Sequence, residues 1–292
     1  MARALILHNP AARHAPHLDF LRTIRRELTL AGFVAEVAGS KQSGDLTRLA
    51  REAGASSLDR VVVCGGDGSF REAAEGLRGS SVPLAIVPLG TSNVLAIEMG
   101  LPVKSPGRCA ALAARGRTRL VGLGDVEGSA FTFCASAGLD SLAVARVNLL
   151  EKAQTGALAY IHSSLMALIE EELPFLRVIL PDGRRLDACQ VFAARARHYG
   201  GSYVLSRKAS LTSPTLQLLV VSPPCHRHLL PAFLRLWNGG IEGAAGVTAL
   251  DVESFTLEAE RAVPIQADGD LVAHTAATFR VDPGALHLVF PA

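Results

Sequence analysis

Apolar positions in the first ~120 residues recur in two alternating rhythms. Short runs of period two or of unbroken apolar character are ALILH (residues 4–8), FVAEVAG (33–39), RVVVCGG (60–66) and PLAIVPLG (83–90). Between them lie stretches with helical spacing: HLDFLRTIRRELTLAG (17–32) closed by Gly32, GDLTRLAREAG (44–54) ending at Gly54, SFREAAEGL (69–77) and SNVLAIEMG (92–100). Strand and helix in strict alternation predict a mostly parallel sheet covered by helices, hence an α/β domain over residues 1–122. Such sheets take ligands outside the carboxyl ends of their strands. Two suggestive turns, GGDGS and PLGTSN, both fall at such ends.

The rhythm changes after residue 122. One long helical pattern runs from Ser141 to Leu173, with a break expected near Gly156. The remainder is short β-type runs: FLRVIL, RLDACQVFAAR, TLQLLVV, VTALDVESFTLEAE, VPIQAD, AATFRV and ALHLVF, with HLLPAFLRLW a helix among them. This pattern predicts a second, largely antiparallel β-sandwich domain over residues 123–292, and two domains suggest a cleft for a substrate.

Composition narrows the function. Hydrophobic residues make up 49% of the 292 and charged residues 19%, which is globular. A net charge of +2 lacks the basic footprint of a nucleic-acid binder. The arginines of RTIRREL and RGRTRL read as solvated faces, with weak attraction to anionic headgroups as the rival. Five scattered cysteines without a C-x-x-C pair fit reduced thiols in the cytoplasm. The apolar run at the N-terminus is too short for a signal peptide, and no stretch is long enough to span a bilayer.

The chemistry concentrates in GGDGSFRE. Gly65, Gly66 and Gly68 allow positive φ and close approach to the backbone, while Ser69 and Glu72 have capping-box spacing. Read blandly, this is a turn and a cap. Read functionally, free N–H groups and a helix N-terminus converge on an anion. Asp67 favours the second reading, because a carboxylate beside phosphate needs either Mg²⁺ between them or a hydroxyl proton to remove. No P-loop, no G-x-G-x-x-G and no G-x-S-x-G elbow is present. His226 and His228 read as surface residues rather than metal ligands.

GGDGSFREAAEGL resembles the GGDGT-x-x-E-x-x-x-G-L signature of the diacylglycerol and sphingosine kinase catalytic domain, especially its bacterial lipid kinase branch. LILHNPAA is similar to the family's opening strand and places Asn9 near the nucleotide; GSKQSGD offers Ser40 where a threonine hydroxyl is usual. VPLGTSNVLA resembles the P-x-G-T-x-N-x-x-A motif, with Gly90, Thr91 and Asn93. ASAGLD and TGALAYI resemble the start of the second domain and its long helix, and IQADGD the Q-x-D-G-E motif. The resemblance implies ATP and Mg²⁺ as cofactors and Asp67 near the metal. It implies Asp268 and Asp270 as candidates for the base. It also implies a lipid acceptor at a membrane surface, with transient peripheral contact and room for a homodimer.

The departures are specific. Ser69 stands for threonine, Arg71 for a neutral side chain and Asp270 for glutamate. Thr212, Ser213 and Pro214 stand where relatives carry an acidic turn around a structural Mg²⁺, so that metal is expected to be missing. The leading expectation is therefore an ATP-dependent lipid kinase, with an apolar pocket lined from the Leu142–Leu168 helix. The alternatives are an NAD kinase-like enzyme, disfavoured by the presence of PLGTSN, and a non-catalytic lipid- or nucleotide-binding homologue.

Overall fold

The computed structural model describes residues 1–10, 18–150, 173–237 and 239–291, without the side chains of 147–150. The chain divides into two compact units, Met1–Gly122 with Gly284–Ala292, and Leu123–Pro283. The C-terminal stretch thus returns to the first unit, where the sequence placed it in the second.

In the first unit β1 (Ala2–His8), β2 (Phe33–Gly39), β3 (Arg60–Gly65) and β4 (Leu84–Pro88) form a parallel sheet in the order β2-β1-β3-β4. Its helices are α1 (Leu18–Leu30), α2 (Asp45–Gly54), α3 (Asp67–Gly76), the short α4 (Val94–Glu98) and α5 (Pro106–Arg115). Leu21, Ile24 and Leu28 of α1, and Leu46, Ala50 and Ala53 of α2, are the buried stripes that helical spacing requires. α1 packs with α5 and α2 with α3. Right-handed crossovers put these pairs on opposite faces of the sheet. Gly76 lets α3 lie against α2, since a Cβ there would fall 2.3 Å from the Thr47 carbonyl oxygen. The Arg60 guanidinium caps the carboxyl end of α5, donating to the Ala113 and Ala114 carbonyls at 2.7 Å each.

The second unit contains an antiparallel six-stranded sheet in the order β14-β13-β10-β7-β16-β17. These are β7 (Cys134–Gly138), β10 (Gln190–Ala194), β13 (Leu216–Val221), β14 (Val247–Val252), β16 (Pro264–Ala267) and β17 (Asp270–His274). A second layer pairs β8 (Leu176–Ile179) with β9 (Arg185–Ala188) and β15 (Ser254–Ala259), and β15 with the start of β18 (Ala277–Phe290). β5 (Arg117–Val126) and β6 (Ser129–Phe131) form a hairpin, as do β11 (His198–Tyr199) and β12 (Tyr203–Val204). The two layers share one core, including Ala135, Val191, Leu218 and Ile265 from one and Val178, Leu257, Phe255 and Phe279 from the other. α6 (Leu139–Leu150) and α7 (Cys225–Arg235) complete the described elements, together with a 3₁₀ turn at Ile241–Gly243. No helix among the described residues is long and apolar enough to cross a membrane.

Several elements differ from the pattern. AATFRV and ALHLVF are one strand, because β18 changes partner, from β15 to β4, and Pro283 sits between the two pairings. β7 escaped notice because CASAG is made of small residues with no β-branched signature. α5 is alanine-rich and lies in a segment without marked alternation. Most of the Ser141–Leu173 helix and the whole TGALAYI segment lie outside the described residues.

The Thr212–Pro214 turn closes around a guanidinium. Arg195 is fully buried and donates to the carbonyl oxygens of Leu211 (2.7 Å), Ser213 (3.0 Å) and Thr215 (2.7 Å). Burial pulls its pKa down to about 10, so it stays charged at neutral pH. Replacing Arg195 with Met should strand those carbonyls and cost at least about 2 kcal/mol, read as a lower unfolding midpoint. A chelator should leave the wild-type midpoint unchanged; a drop would mean that a metal, not Arg195, holds the turn.

Candidate active site

The register of the parallel sheet brings the predicted nucleotide residues to one edge. His8 lies opposite Gly39 and Cys64, and Gly65 opposite Pro88, so the turns opened by Asn9, Ser40, Gly66 and Leu89 stand side by side. Ser40 is tied into that edge by its N–H, which donates to the His8 carbonyl at 2.9 Å. The chain leaves β1 toward β2 on one side and β3 toward β4 on the other. The crevice between Asn9 and Gly66 is therefore the topological switch point, where open α/β sheets bind ligands.

Two glycine turns meet there. A Cβ on Gly66 would lie 3.2 Å from the Gly90 Cα, and one on Gly90 would lie 2.6 Å from the Gly66 Cα and 2.9 Å from Asn93 Oδ1. The Leu89 N–H donates to the Gly65 carbonyl at 2.8 Å and ties the turns together. Gly65 is packed under Ser69, whose Oγ would be 2.5 Å from any Cβ at that position. None of Gly65, Gly66, Gly68 and Gly90 has positive φ, contrary to the sequence reading. Of the two reasons the sequence offered, close approach is the one that holds for Gly65, Gly66 and Gly90.

The expected capping box is also absent. α3 begins at Asp67 with Gly66 as N-cap and no side-chain cap, so Ser69 and Glu72 fall inside its first turns. The helix starts earlier because Gly66 can fit against Gly90 and its carbonyl accepts from the Phe70 N–H at 3.1 Å. Asp67 is half-buried at the helix N-terminus, where the backbone dipole favours a negative charge. Its Oδ1 accepts from the Leu95 N–H at 3.4 Å and so links the starts of α3 and α4. Asn93 has φ +49° and closes a ring with Gly90, accepting from its N–H at 2.9 Å and donating to its carbonyl at 2.7 Å. Asn93 thus braces the turn, while Thr91 is exposed at its tip.

In the second unit the DGD motif separates into two different carboxylates. Asp268 and Gly269 form the β16–β17 turn with φ of +52° and +92°. Asp268 is buried and accepts four hydrogen bonds. The Thr132 N–H (2.6 Å) and hydroxyl (2.8 Å) donate to one oxygen, the N–H groups of Phe133 (3.0 Å) and Cys134 (3.1 Å) to the other. Burial pushes its pKa up, against the pull of those donors. Its lone pairs are committed to holding the β6–β7 connection. Asp270, two residues on, is exposed.

A buried network that the sequence reading did not single out supports this turn. Asp140, at the start of α6, accepts from the hydroxyls of Ser136 and Tyr199 and from Gln266 Nε2 at 2.9 Å. Gln266 also donates to Ser136 Oγ at 2.7 Å, and its Oε1 accepts from the Gly269 N–H at 2.9 Å. Burial raises the Asp140 pKa, and burial beside Asp140 drives the Tyr199 phenol far up. ASAGLD and IQADGD each contained one end of this network, but the partners are 126 and 130 residues apart, beyond any local signal.

The start of α3 suits a phosphate chain, since the first N–H groups of a helix have no intrahelical acceptor and its dipole favours an anion there. No cluster of three or more His, Cys, Asp or Glu able to hold a metal occurs among the described residues. A Mg²⁺ at Asp67 would fit the usual pattern of one protein carboxylate completed by phosphate oxygens and water. His226 is exposed, and His228 Nδ1 lies 2.7 Å from the Ser222 carbonyl oxygen.

Comparison with known proteins agrees with both halves. Residues 3–126 match the diacylglycerol kinase catalytic domain, and residues 134–290 the YegS C-terminal NAD kinase beta sandwich-like domain. A probable YegS-like lipid kinase of Pseudomonas aeruginosa is 31% identical over 270 residues, covering 90% of this chain and 86% of its own. A diacylglycerol kinase of Mycobacterium tuberculosis is 27% identical over 300 residues, covering 100% of this chain and 96% of its own. The crystal structure of a putative diacylglycerol kinase from Bacillus anthracis shares the fold, with a TM-score of 0.80 at 20% identity, over 99% of this chain and 96% of that one. With this coverage and these matched turns, the chain belongs to the YegS-like lipid kinase family, which carries the diacylglycerol kinase catalytic domain.

Proposed function

We propose that this kinase transfers the γ-phosphate of Mg-bound ATP to the hydroxyl of a diacylglycerol-like or other long-chain lipid. The observation that carries the reading is the double glycine turn, with Asp67 at its helix end, at the switch point of the parallel sheet. Relatives named diacylglycerol kinase and YegS-like lipid kinase support the acceptor class.

Phosphoryl transfer asks a protein for alignment, charge neutralisation and a place for one proton. In this proposal the backbone N–H groups of the Gly66 and Gly90 turns orient the phosphates. Mg²⁺ at Asp67, when bound, would offset the charge that develops on the transferred group. The acceptor hydroxyl loses its proton to Asp270, its oxygen bonds to the γ-phosphorus, and the bond to the bridging oxygen breaks to release ADP. Asp270 takes this role because it is exposed, whereas Asp268 already accepts four donors.

The direct test is transfer of labelled phosphate from ATP to a panel of diacylglycerols, other long-chain alcohols and NAD. Label on a lipid is the expected result. Label on NAD would transfer the assignment to an NAD kinase, and nucleotide binding without transfer would make the chain a non-catalytic homologue.

Single substitutions assign the carboxylates. Asp67→Asn should abolish transfer with the fold intact. Asp270→Asn should lose roughly 10²-fold or more in rate with an unchanged unfolding midpoint. Asp268→Asn should instead destabilise the protein by about 2–4 kcal/mol, because an amide NH₂ would face backbone donors. Near-normal turnover in Asp270→Asn, or an unchanged midpoint in Asp268→Asn, would reverse these roles.

A further inference from the structure

α7 carries two apolar faces. Leu229 and Ala232 point into the unit, where Leu229 packs with Cys189 and Val221. The adjoining face exposes Leu230 (57%), Phe233 (38%), Leu234 (56%) and, just beyond the helix, Trp237 (53%). The spacing i, i+3, i+4, i+7 makes these one stripe. A contiguous exposed apolar surface of this kind marks an interaction site rather than ordinary surface variation.

The stripe is organised around aromatic rings. Trp237 meets Phe233 edge-to-face at 5.0 Å and Tyr203 at 5.0 Å. The β11–β12 hairpin that carries Tyr203 is fastened to the helix end, where the Val204 N–H donates to the Leu236 carbonyl at 3.1 Å. Trp and Tyr pair an apolar body with a polar tip and suit a boundary between water and hydrocarbon.

Charge selects the occupant. Cys225–Trp237 contains no Asp or Glu, and Arg227 and Arg235 are exposed along it. Arg207 and Lys208 are exposed nearby, with the Arg207 guanidinium lying against Gly239. The neighbouring acid, Glu242, is half-buried and accepts from the Arg207 N–H at 2.9 Å. An apolar stripe with a basic rim is complementary to an anionic lipid surface. Pairing with a second copy would instead bring the two basic rims together.

We propose that α7 and the Tyr203 hairpin form a docking surface that lies on an anionic bilayer, with Leu230, Phe233, Leu234 and Trp237 entering the headgroup–acyl boundary. The inference rests on the lipid kinase reading for its purpose, but its test does not. Trp237 is the single tryptophan of the chain and reports directly on its own surroundings. With vesicles of mixed phosphatidylcholine and phosphatidylglycerol, free of ATP and acceptor, its emission should shift to the blue and the protein should co-sediment. Binding should weaken on pure phosphatidylcholine and in high salt. The double variant L230N/L234N keeps the reporter and should bind anionic vesicles at least about tenfold more weakly.

An unmoved Trp237 emission, or equal binding by the double variant, overturns the proposal. So does a wild-type dimer that the double variant dissociates, which would assign the face to a second copy. Phosphorylation of a detergent-dispersed lipid, measured in parallel, separates the two readings. If it proceeds while vesicle binding fails, only the docking surface falls.

Discussion

The switch-point end of the parallel sheet depends on one steric condition: two turns from neighbouring parallel strands must touch backbone to backbone. Gly66 and Gly90 satisfy it, since neither position has room for a Cβ without displacing main chain. From that contact follow the early start of α3, the placement of Asp67 at its N-terminus and the bond from the Leu89 N–H to the Gly65 carbonyl. Asn93 spends both ends of its amide on Gly90 and holds the second turn against the first. The result is two backbone turns locked together at the switch point of the sheet, with the Asp67 carboxylate beside them at the start of α3.

The second unit uses buried charge in a different way. Asp268, Asp140 and Arg195 each hold a connection in place from inside: the β6–β7 link, the base of the DGD turn and the Thr212–Pro214 turn. Buried ionic groups are costly unless their hydrogen-bonding capacity is filled. For Arg195 and, the Thr132 hydroxyl aside, for Asp268 the partners are main-chain groups of the loops themselves, while Asp140 is held by the side chains of Ser136, Tyr199 and Gln266. Asp270, two residues on from the buried Asp268, is exposed.

Much of this was legible in the sequence. Strict alternation up to residue 100 announced the parallel sheet, and GGDGS and PLGTSN fell at its switch-point edge. What could not be read was physical in origin. The glycines offered both positive φ and close approach, and that the approach joins segments 24 residues apart is visible only once β3 and β4 are paired. Ser69 and Glu72 carried the spacing of a cap, yet the helix starts before them because the backbone contact reaches further back. Asp268 and Asp270 looked equivalent in IQADGD, and only the loop from Thr132 to Cys134 distinguishes them.

The central claim is that the Gly66–Gly90 contact builds the nucleotide site. Calorimetric titration of Mg-ATP into wild type, Gly90→Ala and Gly107→Ala tests it most directly, because a Cβ at Gly107 meets nothing within 4 Å while one at Gly90 meets the Gly66 backbone. The account predicts wild-type affinity for Gly107→Ala and at least about a tenfold loss for Gly90→Ala, with the fold retained by circular dichroism. Equal affinity in all three proteins would contradict it.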